Sequence, residues 1–365
     1  MNFYSFYSRL GFTFFISLVL IIAAAGTAPA NATTADSSTV PRLSGEYDAS
    51  PTGDIAYVAA ASSFSGKDTL MLYNPLNPEQ PDGRELYTSS GSLLDPAFSA
   101  DGTKLAFIET WGQTGILRST SMDDNDNTVS TIKVLDLQTG NLSNMIKVEH
   151  AISEIEFAPD GKSVFFLQAE TAKSVLFNQT ISTTTFDVYQ IQINANVPVR
   201  HTQLKSSGIE SLKIAPDGQS FYLAFPSDSL SNNQYKQQIR EFPLGSGSNT
   251  GSAISHSSNE RLSEFSWNKD QTMLYYHSEA RSDQDGSYKD KLFVYNSVTK
   301  TDKQLATPDD YLHRPVVAGD RLYFMTGLTR FGYGQSVLYV MPAAGGEPVP
   351  VELPAPQEKS RIITL

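Results

Sequence analysis

Four carboxylates occupy equivalent positions along this chain, at spacings that would let them meet. Each stands seven residues before a turn residue that follows an apolar strand, and the series comprises Glu46, Asp95, Glu154, Glu264 and, in the fourth copy, Ser211. Arg314 takes the sixth position when Pro315 is aligned with Pro96, and His313 precedes it. Each is expected where the innermost strand of its repeat begins, at the entrance of a central channel, and carboxylates that converge there can ligate a cation or bind a basic peptide segment. In the alternative interpretation they only accept hydrogen bonds from backbone amides of a neighbouring strand.

Two acidic loops are weaker metal candidates. One has oxygen donors at Asp123 and Asn125, as a calcium-binding loop begins, but it lacks the turn glycine and the bidentate glutamate that such a loop requires. The other carries Asp283 and Asp285 in a shorter fragment. The five histidines are scattered and show no spacing typical of a metal site. We therefore expect no cofactor, and Ca²⁺ if an ion is bound at all.

A strand–turn–strand unit that carries these residues recurs six times along the chain. The clearest copies read DPAFSADGTKLAF from Asp95, SEIEFAPDGKSVFF from Ser153 and SLKIAPDGQSFYL from Ser211. Weaker copies begin at Gly45, Ser263 and His313. The turn residues, separated by 49, 59, 57, 53 and 48 positions, are Gly53, Gly102, Gly161, Gly218, Gln271 and Gly319. A period of this size indicates a propeller, a solenoid or an array.

Each copy is a hairpin with one apolar face. Apolar and polar residues alternate on both sides of the turn, and Asp-Gly supplies the positive φ that a tight hairpin needs. A third strand and usually a fourth follow, as at residues 131–137 and 142–147, with no helical periodicity between the copies. The pattern predicts an all-β fold, a six-bladed β-propeller with four-stranded antiparallel blades, over residues 44–353.

The N-terminal residues resemble an export signal. Arg9 precedes an apolar stretch over residues 10–25, and Ala30-Asn31-Ala32 fits a signal-peptidase site. We therefore predict a signal peptide at residues 1–32, a flexible tether at 33–43 and a C-terminal tail at 354–365. The protein is then periplasmic or secreted, without a membrane span after cleavage. The alternative is an uncleaved N-terminal anchor.

Composition restricts the partners. The chain has 27 basic and 39 acidic residues, a formal net charge of −12, and no cysteine. Nucleic acid is not an expected partner, because phosphate binding needs a basic surface that this chain lacks. There is also no thiolate chemistry and no disulfide framework. We expect a monomer with a protein or peptide partner.

Long connections are predicted to share one mouth of the propeller. The loops between second and third strands, at residues 110–130, 170–185, 226–236, 279–290 and 327–335, are long, whereas the turns between first and second strands are short. Long loops on one side of a rigid scaffold are common binding sites, and aromatic and arginine residues anchor interfaces. The candidates are Trp111, Arg118, Phe177, Tyr235, Arg281, Tyr288, Arg330, Phe331 and Tyr333. Alternatively, several of them only pack their own loops.

The cores PAFSADGTKLAF, EFAPDGKSVFF and KIAPDGQSFYL resemble the WD40-like PD40 repeat of TolB-type propellers. Similar repeats build the propellers of tricorn-like and prolyl-oligopeptidase-type proteases. The resemblance covers residues 44–353 and implies the architecture rather than an activity. TolB has an additional domain before its propeller, where this chain has a short polar tether. The protease relatives carry a hydrolase domain, and no G-x-S-x-G motif occurs in this sequence.

The sequence is compatible with three functions. The first is an exported, non-catalytic binding or scaffold propeller that engages a protein or peptide at its loop-rich top face. The second is a carbohydrate-active hydrolase or lyase that uses carboxylates at the channel entrance. The third is a structural component of the cell envelope. The isolated propeller and its one-sided loops favour the first.

Overall fold

The computed structural model describes residues 43–356, except for 61–66, 78, 112–127, 177–178, 207, 210, 227–236, 248, 255–260, 282–287, 306–311 and 328–335. The described chain forms six four-stranded antiparallel sheets, each built from four consecutive strands. None of the described segments forms a helix of the length and apolarity that a membrane crossing needs.

The first three sheets, called blades 1 to 3, follow one another along the chain. Blade 1 contains β1 (Leu43–Ala49), β2 (Ile55–Ala59), β3 (Asp68–Tyr73) and β4 (Arg84–Ser89). Blade 2 contains β5 (Ser92–Phe98), β6 (Lys104–Trp111), β7 (Val129–Asp136) and β8 (Leu142–Val148). Blade 3 contains β9 (Ile152–Phe157), β10 (Ser163–Leu176), β11 (Gln179–Gln192) and β12 (Val199–Arg200).

Blades 4 to 6 repeat the same order. Blade 4 contains β13 (Ser211–Ile214), β14 (Ser220–Pro226), β15 (Gln237–Pro243) and β16 (Ser252–Ala253). Blade 5 contains β17 (Arg261–Trp267), β18 (Met273–Arg281), β19 (Tyr288–Asn296) and β20 (Thr301–Gln304). Blade 6 contains β21 (Leu312–Ala318), β22 (Arg321–Thr326), β23 (Val337–Pro342) and β24 (Val349–Val351).

The blades close into a ring around a central channel. The first strand of each blade contacts the first strand of the next, and β21 of blade 6 contacts β1 of blade 1. The predicted six-bladed β-propeller is therefore confirmed.

The hydrophobic core is divided among the junctions between blades. Six clusters of buried side chains each join two neighbouring blades. At the junction of blades 6 and 1, Tyr47 and Tyr57 pack with Tyr323 and Met325. Burial of large apolar side chains between sheets supplies most of the stability, because a single four-stranded blade would leave both of its faces in water.

The predicted turn residues all have the left-handed backbone conformation. The φ angles are 90° at Gly53, 69° at Gly102, 63° at Gly161, 68° at Gly218 and 62° at Gly319. Gln271 adopts φ 53° without being a glycine. In the second turn, hydrogen bonds from the side chain of Ser99 and from Thr103 lower the pKa of Asp101 to about 2. The turns therefore form as the sequence predicts.

Candidate functional site

The predicted ring residues lie inside the channel wall rather than at the start of the innermost strands. Each is the third or fourth residue of its strand, because β1, β5, β9, β17 and β21 begin two or three residues earlier than predicted. The pairing of each of these strands with the next is shifted at this point, which marks a β-bulge. A bulge bends the strand and redirects a side chain. In blade 4, β13 begins at Ser211 and pairs with β14 without a shift.

The bulges support the alignment that places Arg314 in the ring. Asp95, Glu154 and Arg314 have φ angles of 49°, 50° and 52°, which is uncommon for residues other than glycine. Because Arg314 shares both the bulge and the backbone conformation with Asp95, the two positions are equivalent. The last blade therefore carries a cation where the others carry an acid or a serine.

Three ring carboxylates bridge neighbouring blades through backbone amides. Glu46 Oε2 accepts a hydrogen bond of 3.0 Å from the amide of Asp95. The carboxylate of Asp95 in turn accepts one from the amide of Ile155 in blade 3. The carboxylate of Glu264 accepts one from the amide of Arg314 in blade 6. These three carboxylates thus have the backbone-satisfying role that the sequence left as the alternative, while a role in ligand binding stays a prediction.

Arg314 joins the last blade to the first two. Its Nη1 contacts Glu46 Oε2 and its Nη2 contacts Asp95 Oδ1. The Arg314 side chain is 14% exposed and that of Asp95 is 7% exposed, so the pair is largely withdrawn from solvent. Close by, the ring of His313 lies 6.1 Å from that of His277, whose Nε2 is 4.0 Å from Glu264 Oε2. Of the predicted axial residues, Glu46, Asp95 and Arg314 are therefore in direct contact.

A second layer of charged residues lies two positions further along three of the first strands. It consists of Asp48, Glu156 and Lys213, and it was missed in the sequence. Asp48 Oδ2 accepts a hydrogen bond of 2.8 Å from the amide of Phe98, and Lys213 Nζ lies 2.7 Å from Glu156 Oε2. Burial raises the pKa of Asp48 and of Glu156, and the positive charge of Lys213 opposes that rise at both groups.

The channel is narrow at the level of these two layers. The cavity that they line has a volume of about 20 Å³, which is room for one or two water molecules. Within the described part of the chain, no group of three or more histidine or acidic side chains is arranged to hold a metal ion. A sugar ring does not fit at this level, whereas a single water or a small cation does.

A further row of aspartates was also missed in the sequence. Asp68 accepts a hydrogen bond of 3.1 Å from the amide of Leu93, and Asp290 accepts one of 2.9 Å from the amide of Leu312. Each begins or nearly begins the third strand of its blade and reaches the first strand of the next. In both cases the aspartate follows a lysine and stands two positions before a leucine, and this is the sequence signal. In blade 2 the equivalent residue is Ser130, whose hydroxyl accepts a hydrogen bond of 3.2 Å from the amide of Ile152 in blade 3.

The long connections open at one mouth of the channel, which we call the top mouth. The top mouth holds the connections between second and third strands, and the opposite mouth holds turns of five residues or fewer between first and second strands. Trp111 ends β6 at the top mouth and is 44% exposed. Arg281 and Tyr288 pair at the ends of β18 and β19, on either side of another connection. The remaining candidates lie outside the described residues; they are Arg118, Phe177, Tyr235, Arg330, Phe331, Tyr333, Asp123, Asn125, Asp283 and Asp285.

A buried polar cluster lies next to Trp111, around Glu109, which precedes it by two residues in β6. Lys133 Nζ lies 3.3 Å from Glu109 Oε2, and both side chains are at least 90% buried. Ser89 and Tyr87 donate hydrogen bonds to Glu109 from blade 1. Burial acts to raise the pKa of Glu109, but the hydrogen bonds from Ser89 and Tyr87 and the charge of Lys133 outweigh it, so the pKa is lowered. The cluster holds the end of β6 against the neighbouring blade.

The predicted loop at residues 170–185 is instead a continuation of two strands. β10 and β11 pair along their whole length, from Ser163↔Gln192 to Leu176↔Gln179. The prediction of an irregular loop was therefore wrong. Threonine and other β-branched residues, which favour strands, are frequent between positions 171 and 185 and allow the hairpin to continue.

Comparison with known proteins identifies the fold. No protein-family model and no curated protein sequence matches this chain. Among solved structures, TolB from Acinetobacter baumannii aligns with a TM-score of 0.58 and 19% identity, over 83% of this chain and 65% of TolB. The chain thus spans about two thirds of that relative. The β-propeller domain of the Trilobed protease from Pyrococcus furiosus aligns with a TM-score of 0.50 and 16% identity, over 86% and 83% of the two chains.

An enzyme with this fold is also similar. An oligogalacturonate lyase in complex with manganese aligns with a TM-score of 0.51 and 15% identity, over 82% of this chain and 77% of the lyase. At these identities the likeness concerns the fold alone. The similarity to TolB-type propellers is thereby confirmed as a similarity of architecture, whereas the PD40 repeat assignment stays a prediction. The chain is a six-bladed β-propeller of the architecture shared by TolB, a protease propeller domain and a lyase.

Proposed function

We propose that this protein is an exported, non-catalytic propeller that binds a protein or peptide at its top mouth. The observation that carries the proposal is the asymmetry of the two mouths: connections of up to 17 residues and an exposed Trp111 at one, and connections of no more than ten residues at the other. A rigid ring that concentrates long connections on one side is suited to binding. Export rests on the predicted signal peptide at residues 1–32.

The contacts around Trp111 support its role as an anchor. An exposed aromatic side chain costs little conformational entropy on binding when its backbone is already fixed. Here the preceding strand is fixed by the buried Glu109–Lys133 pair and by hydrogen bonds from the adjoining blade. The carbohydrate-active alternative has less support, because the cavity beside the axial carboxylates is about 20 Å³.

Site-specific photocrosslinking tests the proposal. A photoreactive amino acid at position 111 should give a discrete adduct with a cell-envelope protein in the native host. The matched control is position 76, since Leu76 is 56% exposed and lies beside the first turn, at the opposite mouth. Equal adducts at both positions, or an adduct at position 76 alone, would refute binding at the top mouth.

A loop replacement gives an independent test. Replacing residues 112–127 with a short Gly-Ser linker should abolish the adduct formed by neighbouring top-mouth positions. Thermal unfolding should change little, because Trp111 and Val129 at the ends of β6 and β7 are already paired. Shortening residues 75–82 at the opposite mouth is the control, and it should leave the adduct intact.

A further inference from the structure

The hairpin of blade 3 extends well beyond the rest of its sheet. β9 pairs with β10 only as far as Gln168, and the outermost bridge to β11 is Phe186↔Ser206. Residues 170–176 and 179–185, which we call the arm, continue as two paired strands past both neighbours. Seven residues in each strand correspond to roughly 24 Å of extended chain.

The direction of the free backbone groups follows from the pairing. The amide of Phe186 donates outward to Ser206, and the amide of Ala169, its partner in β10, donates away from β11 to Ala151. Backbone groups alternate with a period of two along a strand. The amides and carbonyls of Thr180, Ser182 and Thr184 therefore point away from β10, along an outer edge that no described strand pairs.

This edge lacks the protection found on the other outer strands. Soluble proteins protect sheet edges with charged residues, with proline or by keeping the edge strand short. Here β4 has Arg84 and Glu85, β8 has Lys147, β20 has Asp302 and Lys303, β24 has Pro350, and β12 and β16 have two residues each. By contrast, residues 174–186 contain no charged residue and no proline.

A second copy of this chain suits that edge, because it carries the same unprotected strand edge and two such edges can pair with each other. Each chain has a formal net charge of −12, which opposes the approach of two propellers. The edge itself adds nothing to this repulsion, because residues 174–186 carry no charge. With the contact centred on Ser182, four residues beyond Phe186, the propellers would be about 25 Å apart, which exceeds the Debye length of roughly 8 Å at physiological salt.

We infer that the outer edge of β11 pairs with the same edge of a second copy of this chain, antiparallel about a two-fold axis through Ser182. In this register Ser182 faces Ser182 of the second copy, and Thr180 faces Thr184 in both directions. The three pairs exchange about six backbone hydrogen bonds. The result is a dimer with a continuous four-stranded sheet between the propellers, whereas the sequence alone suggests a monomer.

Sedimentation of the purified protein over a wide concentration range tests the inference. We expect a concentration-dependent dimer that is weaker at about 0.01 M salt, where the Debye length of roughly 30 Å lets the acidic propellers repel each other, than at physiological salt. Ser182→Pro removes one outward amide without removing a bond to β10, and it should weaken the dimer at least about tenfold. Val175→Pro is the matched control, since it removes an outward amide from the opposite edge of the same arm, and it should leave the dimer unchanged.

A charge variant separates edge pairing from a change in the fold of the arm. Ser182→Lys would place two ammonium groups directly opposite each other, so the dimer should dissociate at low salt and partly return at high salt. A wild-type protein that stays monomeric at all concentrations overturns the inference. So does loss of the dimer in Val175→Pro together with persistence in Ser182→Pro. Neither result bears on crosslinking from position 111, so the proposed function is tested separately.

Discussion

The hydroxyl of Tyr47 in blade 1 donates a hydrogen bond of 2.5 Å to the backbone carbonyl of Arg314 in blade 6. The two residues are 267 positions apart, and they meet where the ring closes. Burial holds the pKa of Tyr47 well above its usual value, so the hydroxyl stays a donor. Because every blade is built from consecutive strands, side-chain contacts such as this one, rather than an exchanged strand, join the two ends of the described propeller.

Removing this hydroxyl should weaken ring closure. Tyr47→Phe leaves a buried carbonyl without its donor, so we expect the free energy of unfolding to fall by about 1–3 kcal/mol. Hydrogen exchange should accelerate first in β1 and β21. Tyr276→Phe, which removes a hydrogen bond to Asp302 within blade 5, is the control and should not change exchange at that junction. Equal exchange in the two variants would contradict a closing role for Tyr47.

Arg314 should matter more than any hydroxyl in the channel. Arg314→Met leaves the carboxylates of Glu46 and Asp95 without their shared cation, so we expect a loss of about 3 kcal/mol or more in chemical denaturation. Adding Glu46→Gln and Asp95→Asn to Arg314→Met should recover much of the lost stability, because no uncompensated carboxylate then remains beside position 314.

The exposed ion pair of Arg321 provides the control for the charge. Arg321 Nε lies 4.0 Å from Asp320, whose side chain is almost fully exposed. Arg321→Met should therefore change stability by less than about 0.5 kcal/mol. If both arginine variants lose the same stability, the axial cation has no special role.

The repeat, the turns and the convergence of the ring could be predicted because each depends on local pattern. The turn residues can be recognised because a positive φ favours glycine. Counting seven positions back from each turn then places Glu46 and Asp95 at equivalent positions of the first strands. Strand ends were harder. The bulges at Asp95 and Arg314 let the innermost strands continue past the predicted start, and no local residue preference marks such a bulge.

The second layer and the arm were missed for reasons that lie in the pairing of strands. Asp48 and Lys213 are ordinary charged residues in the sequence, and their partial burial follows only when six strands converge on one axis. Residues 170–185 resembled a long loop because the second and third strands of the other blades are shorter than β10 and β11. Their extension depends on a partner strand at each position, a property of the hairpin as a whole rather than of either half.

Asp48 should make the protein less stable as pH rises. Burial raises its pKa in the folded protein above its ordinary value of 3.8, so between that value and the folded pKa the folded state holds a proton that the unfolded chain has lost. The contribution of Asp48 to the free energy of unfolding is therefore fully present below pH 3.8 and is lost as pH rises through its folded pKa. Asp48→Asn, which keeps an oxygen for the Phe98 amide, should therefore gain stability relative to wild type as pH rises through the window.

Asp101 provides the opposite sign in the same experiment. Its pKa is lowered to about 2, so its contribution is present above pH 4 and is lost as pH falls toward 2. Asp101→Asn should lose stability relative to wild type as pH rises. Urea denaturation at several pH values measures both slopes, and slopes of equal sign would show that burial of Asp48 does not control its ionisation.

Gln271 is the turn residue where the repeat departs from glycine, and substitution there should stabilise the protein. Its φ of 53° costs a residue with a Cβ about 1–2 kcal/mol, whereas glycine adopts this conformation freely but loses more entropy on folding. We expect Gln271→Gly to raise the free energy of unfolding by about 0.5–1 kcal/mol. Thr272→Gly, one residue later and without a positive φ, is the matched control and should lower it. A loss of stability in both variants would mean that side-chain contacts of Gln271 outweigh its backbone strain.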